Sequence, residues 1–172
     1  AAARRPAPHA RAMSAPAAPA TPADEPYRMD FVDAGEPGSA AVNGDYEPVE
    51  WAILEGINAI RAKHGLSAVS HDGRLQAASI AHSEEMYRMH YFGHRSPVAG
   101  HADFTQRIGV AGIGDFGVAG ENLAMGPDAR DLADRFVQMW MDSPGHRANV
   151  LHPKYRFTGV GVYGDADRVY AT

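Results

Sequence analysis

The chain has 172 residues, 45% of them hydrophobic, which suits one sizeable core rather than two. A formal net charge of -5 with no basic run argues against nucleic acid or an anionic lipid surface as partner. The absence of cysteine excludes a disulfide framework, thiolate catalysis and sulfur-ligated zinc, and no run of about 18 apolar residues is present to span a membrane.

Residues 1–26 are dominated by Ala and Pro (APHARAMSAPAAPATPADEP), a composition that predicts a disordered or extended tether. The opening AAARRPAPHA has no export-signal character, so any such signal is taken as already removed. Residues 27–47 scatter Tyr27, Phe31, Val32, Val42 and Tyr46 among Gly, Pro, Asp and Asn, and read as an irregular lead-in. The folded domain is assigned to 48–172.

From Pro48, the residues Ile53, Ile57, Ile60 and His64 recur at helical spacing, and Gly65 followed by Leu66 supplies a left-handed stop. Asp72 caps a second helix with Leu75, Ala78, His82, Met86 and Met89 on one face, expected to break at Gly93. Asp103 opens a short helix over Phe104–Ile108. Asp128 or Asp131 opens a fourth, striped by Leu132, Phe136, Met139 and Trp140 and ended by Pro144-Gly145. Strand patterns fall at Phe116–Ala119, Phe157–Tyr163 and Arg168–Thr172. Gly159 and Gly161 share a strand face, which predicts a neighbour packed directly on the backbone there. Helices early and strands late predict an α+β fold with helices on both faces of a small sheet.

Three stretches carry candidate chemistry. MHYFGHRSP sets His94 just past a helix end, GENLAMG holds Glu121 among small residues, and WMDSPGHRANVLHP sets His146 after a helix stop. Two imidazoles and a carboxylate at element ends can converge on a cleft without interrupting a core. Neutral imidazoles suit a divalent ion such as zinc, and the carboxylate either accepts an imidazole hydrogen bond or completes the ligand shell. Taken singly, each has a plainer reading. A histidine after a helix serves equally as a dipole partner or cap, and Glu121 can tie down its own loop. His82, on the apolar stripe, reads as a core histidine, and Arg147 and Asn149 as backbone-bonding groups. Ser96 and Ser143 lie near the two histidines in sequence, but no Gly-x-Ser-x-Gly elbow, His-Glu-x-x-His, phosphate loop or dinucleotide fingerprint is present.

In this order, the segments resemble the CAP superfamily, the sperm-coating-protein/pathogenesis-related-1 domain, and most closely its cysteine-free bacterial members. The resemblance runs from about Val49 to Thr172. It is carried by Ile57-Asn58 with Arg61 and Gly65-Leu66, by Leu75, Ala77, Ala78 and His82, by YFGH at Tyr91–His94, by GEN at Gly120–Asn122, and by the run from Trp140 to Leu151. It implies a three-layer α-β-α sandwich with a small, mostly antiparallel sheet, whose closing strand, here RVYAT, is expected to be truncated. It also implies an open cleft lined by two histidines, His94 and His146, and two acids, the first being Glu121. The second acid falls at Ser143; Asp142, one residue earlier, is turned by about 100° and does not replace it.

The implied function is that of a secreted, periplasmic or cell-envelope protein without enzymatic activity. His94 and His146 would bind a divalent metal, zinc first, with no organic cofactor. The ligand cleft of His94, Glu121, His146 and Ser143 would receive a lipid, a cell-wall component or another extended extracellular ligand. Two alternatives stand beside it. One is an extracellular hydrolase of peptide or wall polymer, with His94 or His146 as general base assisted by Glu121; the other is a structural interaction module.

Overall fold

The computed structural model describes residues 46–172; the tether assigned to 1–26 and the lead-in up to residue 45 lie outside the described residues. Helix α1, Glu47–Lys63, has Pro48 in its first turn and carries acids at its N-terminal end and bases at its C-terminal end, each complementing the helix dipole. It stops as expected: Gly65 adopts φ 69°, and the Leu66 N–H reaches the Arg61 carbonyl at 3.0 Å. His64 is exposed with its ring against the Ile60 carbonyl, so the buried stripe ends on Arg61 instead.

Strand β1, Ser70–His71, leads into α2, Gly73–Arg88, whose Asp72 cap accepts the N–H groups of Arg74 and Leu75. This helix ends before Gly93. His90 takes the left-handed φ of 54°, and the Tyr91 N–H closes on the Met86 carbonyl at 3.1 Å, leaving Met89 exposed. A histidine occupies a position where glycine is the usual signal. Helix α3, Phe104–Val110, starts at Asp103, whose carboxylate accepts the Gln106 N–H.

The strand expected at Phe116–Ala119 does not form. Phe116 and Val118 are exposed at the mouth of a cavity, and pairing begins only at β2, Ala124–Gly126. Helix α4, Leu132–Asp142, buries Leu132, Phe136 and Trp140 but leaves Met139 outside, and Asp131 stands at its N-cap without a side-chain bond. Pro144-Gly145 does more than end α4. Pro144 opens the first turn of α5, Pro144–Val150, so His146 lies on a helix rather than in a loop.

The expected strand Phe157–Tyr163 divides into β3, Phe157–Thr158, and β4, Val162–Gly164, because its two ends join different sheets. β3 pairs in parallel with β1, while β5, Val169–Ala171, lies antiparallel between β2 and β4. The final strand is short, but it is the central strand of its sheet and fully buried.

Alternation along β5 defines the layers. Val169 and Ala171 join Ile53, Leu132, Phe136 and Trp140 beneath α1 and α4, whereas Tyr170 packs with Met86 of α2, Leu123 and Phe92 on the opposite face. The fold is therefore an α+β, three-layer α-β-α sandwich. Glu50 pins the layers together: its carboxylate accepts the Val162 N–H at 2.9 Å and the Gln76 amide at 2.7 Å.

Candidate functional site

The site is assembled from the loop after α2, helix α3, the Gly-Glu-Asn segment and the first turn of α5. Glu121 is nearly buried, with its side chain 8% exposed, and its Oε1 lies 2.9 Å from Nδ1 of the half-exposed His94. An ionised carboxylate can only accept, so His94 donates from Nδ1 and its Nε2 is left as the free nitrogen. Burial acts to raise the Glu121 pKa; the hydrogen bond from His94 and the charge of Arg107 outweigh it and hold the carboxyl below its ordinary value.

Arg107, on α3, was not singled out by sequence, yet it is the hub of the site. Its Nη2 contacts both Glu121 oxygens, at 2.8 and 2.6 Å, and its Nη1 reaches the carbonyls of His94 and His101 at 3.1 and 2.8 Å. One guanidinium thus holds the loop from both ends. Sequence offered one signal for it, a charged residue among the apolar positions of a short helix.

His146 approaches from α5. Burial, followed by the charged form of neighbouring His94, lowers its pKa, which keeps the ring neutral at neutral pH. Its position is tied by a relay of amides: Asn149 donates to the Glu121 carbonyl at 3.2 Å and to Asn122 Oδ1 at 2.9 Å, and Asn122 donates to the His146 carbonyl at 3.1 Å. Asn149 therefore bonds a backbone carbonyl of the distant Gly-Glu-Asn segment rather than of the corner it occupies, where sequence had suggested its partner, and Arg147 is exposed.

Ser143, where the resemblance places a second acid, joins α4 to α5 and offers its carbonyl to the Arg147 N–H; its hydroxyl makes no cap. Asp142 accepts from Gln138 on its own helix and so is turned to that helix's surface, away from the role of the missing acid. Ser96 is buried, and its Oγ accepts the Val98 N–H. His82 is a satisfied core histidine, its Nε2 donating to the Gly93 carbonyl at 3.2 Å and its Nδ1 facing the Tyr91 hydroxyl at 3.4 Å.

A further imidazole–carboxylate pair, missed by sequence, lies behind the first. Glu85 contacts His101 Nδ1 at 3.1 Å and accepts the Tyr91 hydroxyl. Among the described residues, no group of three or more His, Asp or Glu side chains is arranged to hold a metal ion. Any ion at His94 and His146 would therefore complete its shell with water or ligand. Beside the pair, sharing the wall formed by Glu121 and Asn122, a cavity of about 680 Å³ opens among Leu75, Phe104, Phe116, Val150 and Tyr155; His94 and His146 lie outside its lining.

A family model described as CAP, the cysteine-rich secretory protein family, matches residues 54–172. The uncharacterized protein YkwD of Bacillus subtilis (strain 168) is 35% identical over 113 residues, covering 65% of this chain and 41% of its own length. The uncharacterized membrane protein YlbC of the same organism is 37% identical over 127 residues, covering 72% of this chain and 33% of its own. The chain thus spans well under half the length of either relative. An extracellular protein containing an SCP domain from Bacillus anthracis str. Ames superposes with a TM-score of 0.61 at 29% identity, over 77% of this chain and 44% of that one. An outer surface protein of Borrelia burgdorferi gives 0.65 at 18% identity, over 76% and 94% respectively, a likeness of fold. Both solved neighbours are extracellular or outer-surface proteins, and no helix among the described residues is long and apolar enough to cross a membrane.

Proposed function

The chain belongs to the CAP, or cysteine-rich secretory protein, family, and from that premise we propose that it is a secreted or cell-envelope binding domain whose His94–His146 pair takes a divalent cation, zinc first. The observation that carries this reading is the Glu121–His94 contact of 2.9 Å, which points the protonated nitrogen of His94 inward and leaves Nε2 as a lone-pair donor. His146, held neutral by its burial, is the matching donor. Imidazole nitrogens suit zinc, and Glu121, already shared between His94 and Arg107, serves as the orienting acceptor rather than a ligand. A cation bound there would act as a Lewis acid, anchoring an anionic or carbonyl oxygen of the ligand.

The adjoining cavity supports an extended ligand, lipid or cell-wall component, as the second element of the reading. Its lining mixes apolar side chains, the exposed Phe116 and Phe157 among them, with charged ones such as Asp72, Arg74, Asp115 and Lys154, which suits a molecule with both an apolar and a polar part. Calorimetric titration with zinc chloride near pH 7.5 tests the cation assignment. Wild type should bind one equivalent and a His94→Ala/His146→Ala double variant none; undiminished binding in the double variant would refute it.

A further inference from the structure

We propose that Arg107 is the positioning residue of the imidazole pair: by occupying both oxygens of Glu121 it keeps that carboxylate out of any coordination shell and so fixes His94 in the Nδ1-protonated form. This deepens the binding reading above and depends on it only for the cation itself.

A buried carboxylate beside an imidazole has two available roles. It can ligate a cation directly, or it can accept the imidazole N–H and stay behind it. Here the choice rests on Arg107, which is only 5% exposed. Its Nη2 lies 2.8 and 2.6 Å from the two oxygens of Glu121, so neither can turn toward a cation without abandoning a buried guanidinium. Glu121 stays anionic and acceptor-only, and the facing nitrogen of His94 must carry the proton.

The same guanidinium also grips the backbone of His94. Both Nη atoms reach its carbonyl at 3.1 Å, and Nη1 holds the His101 carbonyl at 2.8 Å. His94 is therefore fixed at two points by one side chain, directly through its carbonyl and indirectly through its ring. A lysine at this position would bring the charge but not a planar set of donors spanning two carbonyls and a carboxylate. Arg107 is thus more than a loop tie, because a loop tie needs only the carbonyl contacts.

The test reads the tautomer of His94 from imidazole nitrogen shifts in the metal-free protein at pH 8, alongside zinc affinity. Wild type should show the Nδ1-protonated form alone. Arg107→Lys should show a mixture of both forms and bind zinc about 10- to 100-fold more weakly, the range usual for losing an outer hydrogen-bond partner of a ligand. Arg107→Gln keeps a planar donor beside the same carbonyls without the charge, and it should lose the tautomer preference in the same way; it decides the matter if Arg107→Lys does not fold. A wild-type His94 protonated on Nε2 would overturn the proposal, as would a folded Arg107→Lys that keeps the pure tautomer. Failure of wild type to bind zinc would instead remove the cation reading while leaving the tautomer result to judge Arg107.

Discussion

Gly161 lies so close to the backbone of Ile80 that a β-carbon on it would stand 2.0 Å from the Ile80 nitrogen. Gly159 has the same relation to Gln76, one turn earlier on α2, also at 2.0 Å. The two glycines let helix α2 rest directly on the chain entering β4, and Ser79 and Ser83 cement the contact by donating to the Gly159 and Gly161 carbonyls at 3.1 and 2.9 Å. This is the packing plane that sets the α2 layer, and with it the loop carrying His94.

Because backbone cannot yield as a flexible side chain does, Gly161→Ala or Gly159→Ala should cost about 3 kcal/mol or more. Urea denaturation checks this. A loss below about 1 kcal/mol at either position would mean that the helix shifts away without penalty.

Arg61 is 1% exposed and donates to the carbonyls of Ser67, Val150 and His152 at 2.9, 2.8 and 3.1 Å. It ties the end of α1 to the exit of α5. Arg61→Ala strands several buried carbonyls and should destabilise the fold by about 3 kcal/mol. Hydrogen exchange should place the largest loss of protection in α5. Uniform loss across the sheet, with α5 spared, would contradict the assignment.

The amide relay gives a separate prediction for the site. Asn122→Ala removes the donor to the His146 carbonyl and the acceptor for Asn149. Zinc affinity should fall about tenfold, since an outer partner of a ligand is lost. An unchanged dissociation constant in a calorimetric titration would show that α5 alone places His146.

Acid sensitivity should trace to His82. Burial takes its pKa down to about 4, with Arg107 acting in the same sense and Glu121 and Glu85 opposing. An unfolded histidine titrates near about 6.5, so between these values the unfolded chain binds a proton that the folded chain refuses. Stability is fully present above about pH 6.5, falls through the window, and for this group is flat below about pH 4. The whole shift is worth about 3 kcal/mol. Urea denaturation at pH 7 and pH 4.5 should show most of that loss in wild type and little of it in His82→Gln. Equal losses in both would assign the acid sensitivity to the carboxylates instead.

The contrast between what sequence discloses and what it conceals follows from the range of the interactions. Gly65, Asp72 and Asp103 act within a few residues of themselves, and each terminates or caps its helix as its local chemistry dictates. The glycine pair was readable for a similar reason, since glycines two apart on a strand imply something close on one face. The stop at His90 was hidden because its left-handed turn is made without glycine. Pro144 was legible as a helix boundary but ambiguous in direction, because the proline that ends α4 also opens α5.

At the site, His94, Glu121 and His146 stood out by residue type and placement; the structure sets Glu121 on His94, and His146 is linked to that segment through its carbonyl by the Asn122–Asn149 bridge. Arg107 and the Glu85–His101 pair did not stand out, because nothing in a linear sequence relates a guanidinium on α3 to a carboxylate beyond the next loop. Their roles exist only once the loop after α2 has folded back over α3.

The most direct measurement of the central claim is a zinc titration followed through the imidazole resonances of the wild-type protein at pH 7.5. The account predicts that the rings of His94 and His146 shift together and saturate at one equivalent, the change in His94 falling on Nε2, while those of His82 and His101 stay in place. Saturable shifts at His101 or His152 with His94 and His146 unmoved, or no shift in any ring at millimolar zinc, would contradict it.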